Sequence, residues 1–216
     1  MANNFSLAQC LYNASSYSPK KVVELLKLAE ESEGELVRLT NEVAIDARPV
    51  RTAVEQATKN LDLITDVCAL YIDYTELFVD SMRDIMHSEV VIAAADDKDE
   101  LLPPTYAVSQ RISGDINIVS GIVASENVFL KLAERYSGEN FAEVDELAID
   151  SLVEYINVLN GLFCVELANH HIDAELELPS WKKDAHPEAN NQLRLKVYTA
   201  FGAFYLVLAV DEFLGY

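Results

Sequence analysis

Asp150, Glu154, Asn157 and Gly161 recur at steps of four, three and four in the segment 144–163. At 3.6 residues per turn those steps place them on one narrow stripe of a helix. Ala148, Ile149, Leu152, Val153, Tyr155, Ile156, Leu159, Leu162 and Phe163 fill nearly all the remaining circumference. A helix so apolar must be buried on most sides. Glu154 and Asn157 then share its one wet face. A carboxylate beside a neutral amide on a rigid helix, with a small residue below, suits the presentation of polar groups to a partner's site. The same pair also fits an ordinary solvated face, and spacing alone is compatible with both.

The elements that would position this stripe can be read outward from it. Ser125 caps a short helix over 126–136, closed by Gly138. Residues 110–124 predict one or two strands, with Gly114 or Gly121 at a bend. The run 172–178 alternates apolar and acidic and predicts a strand with one wet face. Two closing strands, 193–199 and 203–210, flank a turn at Ala200-Phe201-Gly202. Upstream, residues 90–95 predict a strand. Residues 61–85 repeat apolar positions at three- and four-residue steps, a long helix that could break near Asp73. Asp96-Asp97-Lys98-Asp99-Glu100 lacks the glycine and spacing of a calcium loop and reads as a solvated turn.

The first 17 residues are polar and predicted to be loosely ordered. Ser18-Pro19 starts a helix that Gly34 can close, a second helix covers 35–47, and Pro49 interrupts or restarts it. The division expected is a helical extension over 1–60 and an α+β domain over 61–216. Apolar faces such as Val22, Leu25, Leu26 and Ala29 are too short to be stable alone. They are expected to pack on the same chain, on the side away from the Glu154 helix.

Composition excludes several classes of function. The chain has 36 acidic and 16 basic residues in 216, a net charge of −20. No basic stripe is present to displace counterions, so no nucleic acid is expected as a partner. The N-terminus lacks the basic and apolar regions of a signal peptide, and no uninterrupted run of 18 apolar residues predicts a membrane span. Cys10, Cys68 and Cys164 are far apart and odd in number; Cys68 and Cys164 lie among apolar residues and read as reduced core thiols of a cytoplasmic protein. Seven glycines are scattered and form no phosphate loop. His170 and His171 are adjacent and, on a strand, would point apart; no Cys/His spacing suits zinc, so no metal or cofactor is expected on this chain.

The run from Glu146 through Asp150-x-x-x-Glu154-x-x-Asn157-x-x-x-Gly161, followed by Leu176-Glu177-Leu178-Pro179, resembles the CheX/CheC/FliY family of chemotaxis phosphatases. Ile112-Ser113-Gly114-Asp115-Ile116, residues 133–139 and the closing strand from Phe201 to Leu208 also resemble that family. The likeness covers roughly residues 69–210. It implies helices packed on a mainly antiparallel sheet, and a phosphatase of aspartyl-phosphorylated, CheY-like response-regulator receiver domains. Asn157 would position the attacking water and Glu154 would dock on the receiver's lysine, with Asp150 and Gly161 as binding positions. Mg²⁺ would belong to the receiver. A single motif, as in CheX-like members, implies a homodimer. The alternative is an interaction module that binds a receiver or flagellar partner without hydrolysis. Asn160, an extra amide about 60° around the helix from Asn157, is expected to be buried and bonded.

Overall fold

The computed structural model describes residues 4–14, 17–31, 49–59, 61, 65–95, 101–186 and 192–210. In chain order they form α1 (Asn4–Ala14), α2 (Pro19–Glu31), α3 (Arg51–Thr58), α4 (Thr65–Asp84), β1 (Val91–Ala94), β2 (Thr105–Gly114), β3 (Ile118–Ser125), α5 (Glu126–Ser137), α6 (Glu146–Asn169), β4 (Ala174–Leu176), β5 (Ser180–Lys183), β6 (Gln192–Thr199) and β7 (Gly202–Ala209). The predicted helix over 35–47, its Gly34 stop and the acidic run 96–100 lie outside the described residues.

The strands make one seven-stranded sheet in the order β1-β6-β7-β3-β2-β4, with β5 also on β2. Every pairing is antiparallel. Helices on an antiparallel sheet give the α+β class expected from the sequence. Alternation sorts the strands' side chains onto two faces. Ile92, Val108, Ile122, Leu195, Val197 and Leu206 point to one face, where α3 to α6 cover them in the main core. Val91, Ala93 and Tyr198 point to the other and meet Ala8 of α1 with Val22 and Leu26 of α2. α1 and α2 therefore lie across the sheet from α6, which is the side expected for the extension, but α3 of that extension does not: its Ala53 and Val54, with Val50, pack in the main core on the α6 side.

α4 is one continuous helix of 20 residues, without the break considered at Asp73. Tyr71, Tyr74, Phe78 and Met82 follow at three- and four-residue steps and are fully buried, each contributing roughly 1.5–3 kcal/mol. That continuous face outweighs the exposed Asp73. α1 is the main departure at the N-terminus, where loose order was expected. Its Ala8, Gln9, Cys10 and Leu11 are buried, and Gln9 pairs with edge strand β1. The Gln9 Nε2 donates to the Ile92 carbonyl at 2.8 Å, and the Ile92 N–H donates to Gln9 Oε1 at 2.7 Å. A glutamine side chain thus replaces a missing neighbouring strand.

The region expected as strand over 110–124 is a hairpin that starts earlier, at Thr105. Gly114 sits at its turn with φ of +134°, and a Cβ there would lie 2.5 Å from the Asp173 carbonyl oxygen. His170 and His171 lie in the turn after α6, not on a strand, because the helix runs on to Asn169. β7 pairs with β3 on one side and β6 on the other. It is therefore an inner strand of the sheet, with no open edge. α6, at 24 residues, is long and apolar enough by length and composition to cross a membrane. Here it is a core helix against β2, with nine buried residues.

Candidate functional site

α6 owes its start to Asp145, whose carboxylate accepts from the Ala148 N–H at 2.9 Å while Glu146 sits in the first turn. Both favour the positive end of the helix. Its inner face is fixed by aromatic contacts. The Phe163 ring meets Tyr74 edge-on at 5.0 Å, and the Tyr155 ring meets Tyr136 at 5.7 Å. Tyr155 is fully buried, as its angle on the helix predicts. Of the apolar residues expected to be buried around the helix, Leu162 is exposed; Leu147 and Val165 are exposed too.

The four stripe residues divide by depth. Asp150 and Glu154 are exposed, and Asn157 and Gly161 are half-buried. Asp150 lies seven residues, about 10 Å along the axis, from Asn157, too far to act on the same atom. Glu154 and Asn157 are neighbours, one turn apart. Burial first, then the negative charge of Glu154, pushes the Tyr136 phenol up. A Cβ on Gly161 would have nothing within 4 Å.

Below Asn157 runs a chain of buried polar groups that the stripe did not reveal. Asn157 Oδ1 accepts from Gln110 Nε2 at 2.9 Å, and the same nitrogen donates to the Glu177 carbonyl at 2.8 Å. Gln110 Oε1 accepts from Asn160 Nδ2 at 2.9 Å. Asn160 Oδ1 accepts from the Tyr74 hydroxyl at 2.7 Å and the Ser120 hydroxyl at 2.8 Å. Asn160 is fully buried and bonded, as expected. Gln110 and Ser120 did leave a signal. Each breaks an inward apolar run, Tyr106-x-Val108-x-Gln110-x-Ile112 and Ile118-x-Ser120-x-Ile122. A polar residue on a core-facing position requires a partner.

The Glu177 carbonyl is free for Gln110 because the edge strand is interrupted. β4 pairs with β2 through Ile112↔Leu176, and β5 resumes at Ser109↔Ser180. Two residues of β2, Gln110 and Arg111, thus face three on the edge, Glu177, Leu178 and Pro179. This is a β-bulge, and it ends at Leu176 the strand expected to run to 178. Pro179 has no N–H to offer the ladder, which confines it to such a place. Leu178 and Trp181 beside it are exposed. Among the described residues no group of three or more His, Cys, Asp or Glu is placed to hold a metal.

No family model matches this sequence, and no curated protein matches it. Solved structures do match in fold. A CheC-like superfamily protein from Shewanella sp. PV-4 aligns with a TM-score of 0.54 at 14% identity, over 68% of this chain and 98% of its own. The chemotaxis protein CheX from Vibrio vulnificus gives 0.55 at 15% identity, over 65% and 98%. CheX from Desulfovibrio desulfuricans gives 0.53 at 12% identity, over 68% and 99%. The chain has the fold of CheX/CheC-like chemotaxis proteins, spans nearly the whole of each, and carries additional residues beyond them.

Proposed function

We propose that this protein is a phosphatase for aspartyl-phosphorylated receiver domains, with Asn157 positioning the attacking water and Glu154 docking on the receiver. The observation that carries this reading is the pair itself: a carboxylate and an amide, one turn apart on the outer side of α6, in a CheX/CheC-like fold. An acyl phosphate is already reactive, so a catalyst gains most by holding water in line. The water oxygen bonds to phosphorus, the bond from phosphorus to the aspartyl oxygen breaks, and the products are inorganic phosphate and free aspartate carboxylate. A carboxamide holds that water without changing its own protonation state. Mg²⁺ belongs to the receiver in this scheme, and Asp150 and Gly161 flank the docking face. We assign the activity to a cytoplasmic homodimer, with residues 1–60 as an extension of a domain over 61–216. A sedimentation mass near 24.1 kDa at micromolar concentration would contradict the dimer.

The decisive experiment charges the receivers of the same genome with a small phosphodonor and follows phosphate loss with wild type and Asn157→Ala. Loss of orders of magnitude in rate in a variant that stays folded, at a stability cost of about 1–3 kcal/mol for the unpaired Gln110 donor, supports the assignment. Equal rates refute it. A second reading, an interaction module without hydrolysis, draws on one observation: Asn157 is half-buried and its Oδ1 is already bonded. Receiver binding with unchanged phosphate half-life would select that reading.

A further inference from the structure

We propose that Gln110 is the positioning residue that decides which end of the Asn157 amide faces the partner, so that Asn157 presents its Nδ2 hydrogens and not its carbonyl. The inference rests on the phosphatase reading of Asn157 and names what makes that residue competent.

The direction of the chain follows from one group that has no choice. The Glu177 carbonyl can only accept, so the Gln110 atom 2.8 Å from it is the NH₂. The other end of Gln110 is then an acceptor and takes the Asn160 Nδ2 hydrogen. Asn160 Oδ1 must in turn accept, and two hydroxyls, Tyr74 and Ser120, supply the donors. The second hydrogen of Gln110 Nε2 points at Asn157 and fixes the near atom there as Oδ1. What remains on the outer side of Asn157 is a donor pair. A donor holds a water by one oxygen lone pair and leaves the other free to attack. A carbonyl would hold the same water by a hydrogen.

The bulge at Pro179 is part of the device. In a continuous ladder the carbonyls of the edge strand would alternate toward β2 backbone N–H groups. The Glu177 N–H still donates to the Arg111 carbonyl at 3.0 Å, but the extra residue turns the Glu177 carbonyl to a side chain. Tyr74, Asn160 and Ser120 are fully buried, which holds the far end of the chain rigid.

Two measurements on the full chain test this. In ¹⁵N spectra of wild type, both Gln110 Nε2 protons should exchange slowly with solvent, whereas the Asn157 Nδ2 protons should exchange fast. Protection of the Asn157 Nδ2 protons equal to that of Gln110 would overturn the proposal without any variant. Gln110→Glu then replaces the donor by an acceptor of the same shape, and the Asn157 amide should turn and become protected. With a receiver that wild type dephosphorylates, charged with phosphoramidate, kcat should fall about 10- to 100-fold while KM stays near wild type. Wild-type kcat in Gln110→Glu would refute a positioning role, provided Asn157→Ala is inactive. If Asn157→Ala is instead as active as wild type, or no receiver is dephosphorylated, the phosphatase reading itself fails and only the exchange pattern stands.

Discussion

Ser81 of α4 and Tyr155 of α6 join their hydroxyls at 2.7 Å inside the core, 74 residues apart in sequence. Their direction is set by a third group. Ser81 has a single proton and gives it to the Phe78 carbonyl at 2.7 Å, so Tyr155 is the donor between them. Removing either partner is therefore not equivalent. Ser81→Ala leaves a fully buried phenol with no acceptor and should cost about 1–3 kcal/mol. Tyr155→Phe leaves Ser81 still donating and should cost about 0.5–1.5 kcal/mol. Urea unfolding of both variants checks the order, and a larger loss in Tyr155→Phe would reverse the assignment.

The buried tyrosines also set an alkaline limit. Burial pushes Tyr71 up from 10.0 to about 12, and raises Tyr74 and Tyr155 well above the ordinary tyrosine value by the same cause. The folded state holds these protons after the unfolded chain has released them. Stability from them is complete below pH 10 and is lost as pH rises from 10 toward 12. Tyr71 alone accounts for on the order of 2 kcal/mol over that span. The urea midpoint should fall across this window, and Tyr71→Phe should make the fall shallower. A midpoint that stays level to pH 12 would be inconsistent with the burial of all three phenols.

Gln9 is predicted to matter more than its place in a polar N-terminus suggests. It satisfies both the N–H and the carbonyl of Ile92 on the edge strand. Gln9→Met keeps the helix and removes both bonds, leaving two buried backbone groups unpaired. The expected loss is roughly 2–4 kcal/mol. Hydrogen exchange at the Ile92 amide reads the effect directly, and unchanged protection there would show that α1 does not guard β1.

How far the fold was legible follows from where its signals are local. The α6 helix, the Gly138 stop of α5 (φ of +76°) and the β6–β7 hairpin are written in spacing and turn residues and appear as read, although Asn157 on the α6 stripe is half-buried where a wet face was expected. Gly202 at that hairpin has φ of +144°, which only its residue type could announce. What was hidden is non-local. Gln9 looks like any polar residue until β1 lies beside it. β5 was missed because Ser180-Trp181-Lys182-Lys183 has no alternation of its own and becomes a strand only by pairing with Tyr106–Ser109. Leu162 was placed in the core because it is apolar, yet it faces outward from α6. The half of the site that projects from α6 was visible. The half beneath it, Gln110 with Ser120, showed only as polar residues out of place in apolar alternation.

Gly161 separates stability from function in one substitution. It lies in the interior of α6, one turn beyond Asn157, and a Cβ there would meet nothing within 4 Å. Glycine inside a helix costs roughly 0.5–1 kcal/mol relative to alanine. Gly161→Ala should therefore raise the thermal midpoint by a few degrees. On the docking side the same open space is where a receiver would approach under the proposed function. A methyl group there should hold the partner off, raising KM for the phosphorylated receiver several-fold while kcat at saturation stays near wild type, since the Gln110–Asn157 bond is untouched. Thermal melts and dephosphorylation kinetics on one protein preparation measure both. A stabilised variant with unchanged KM would remove Gly161 from the docking face, and a drop in kcat at constant KM would show that this turn instead governs how Asn157 is held.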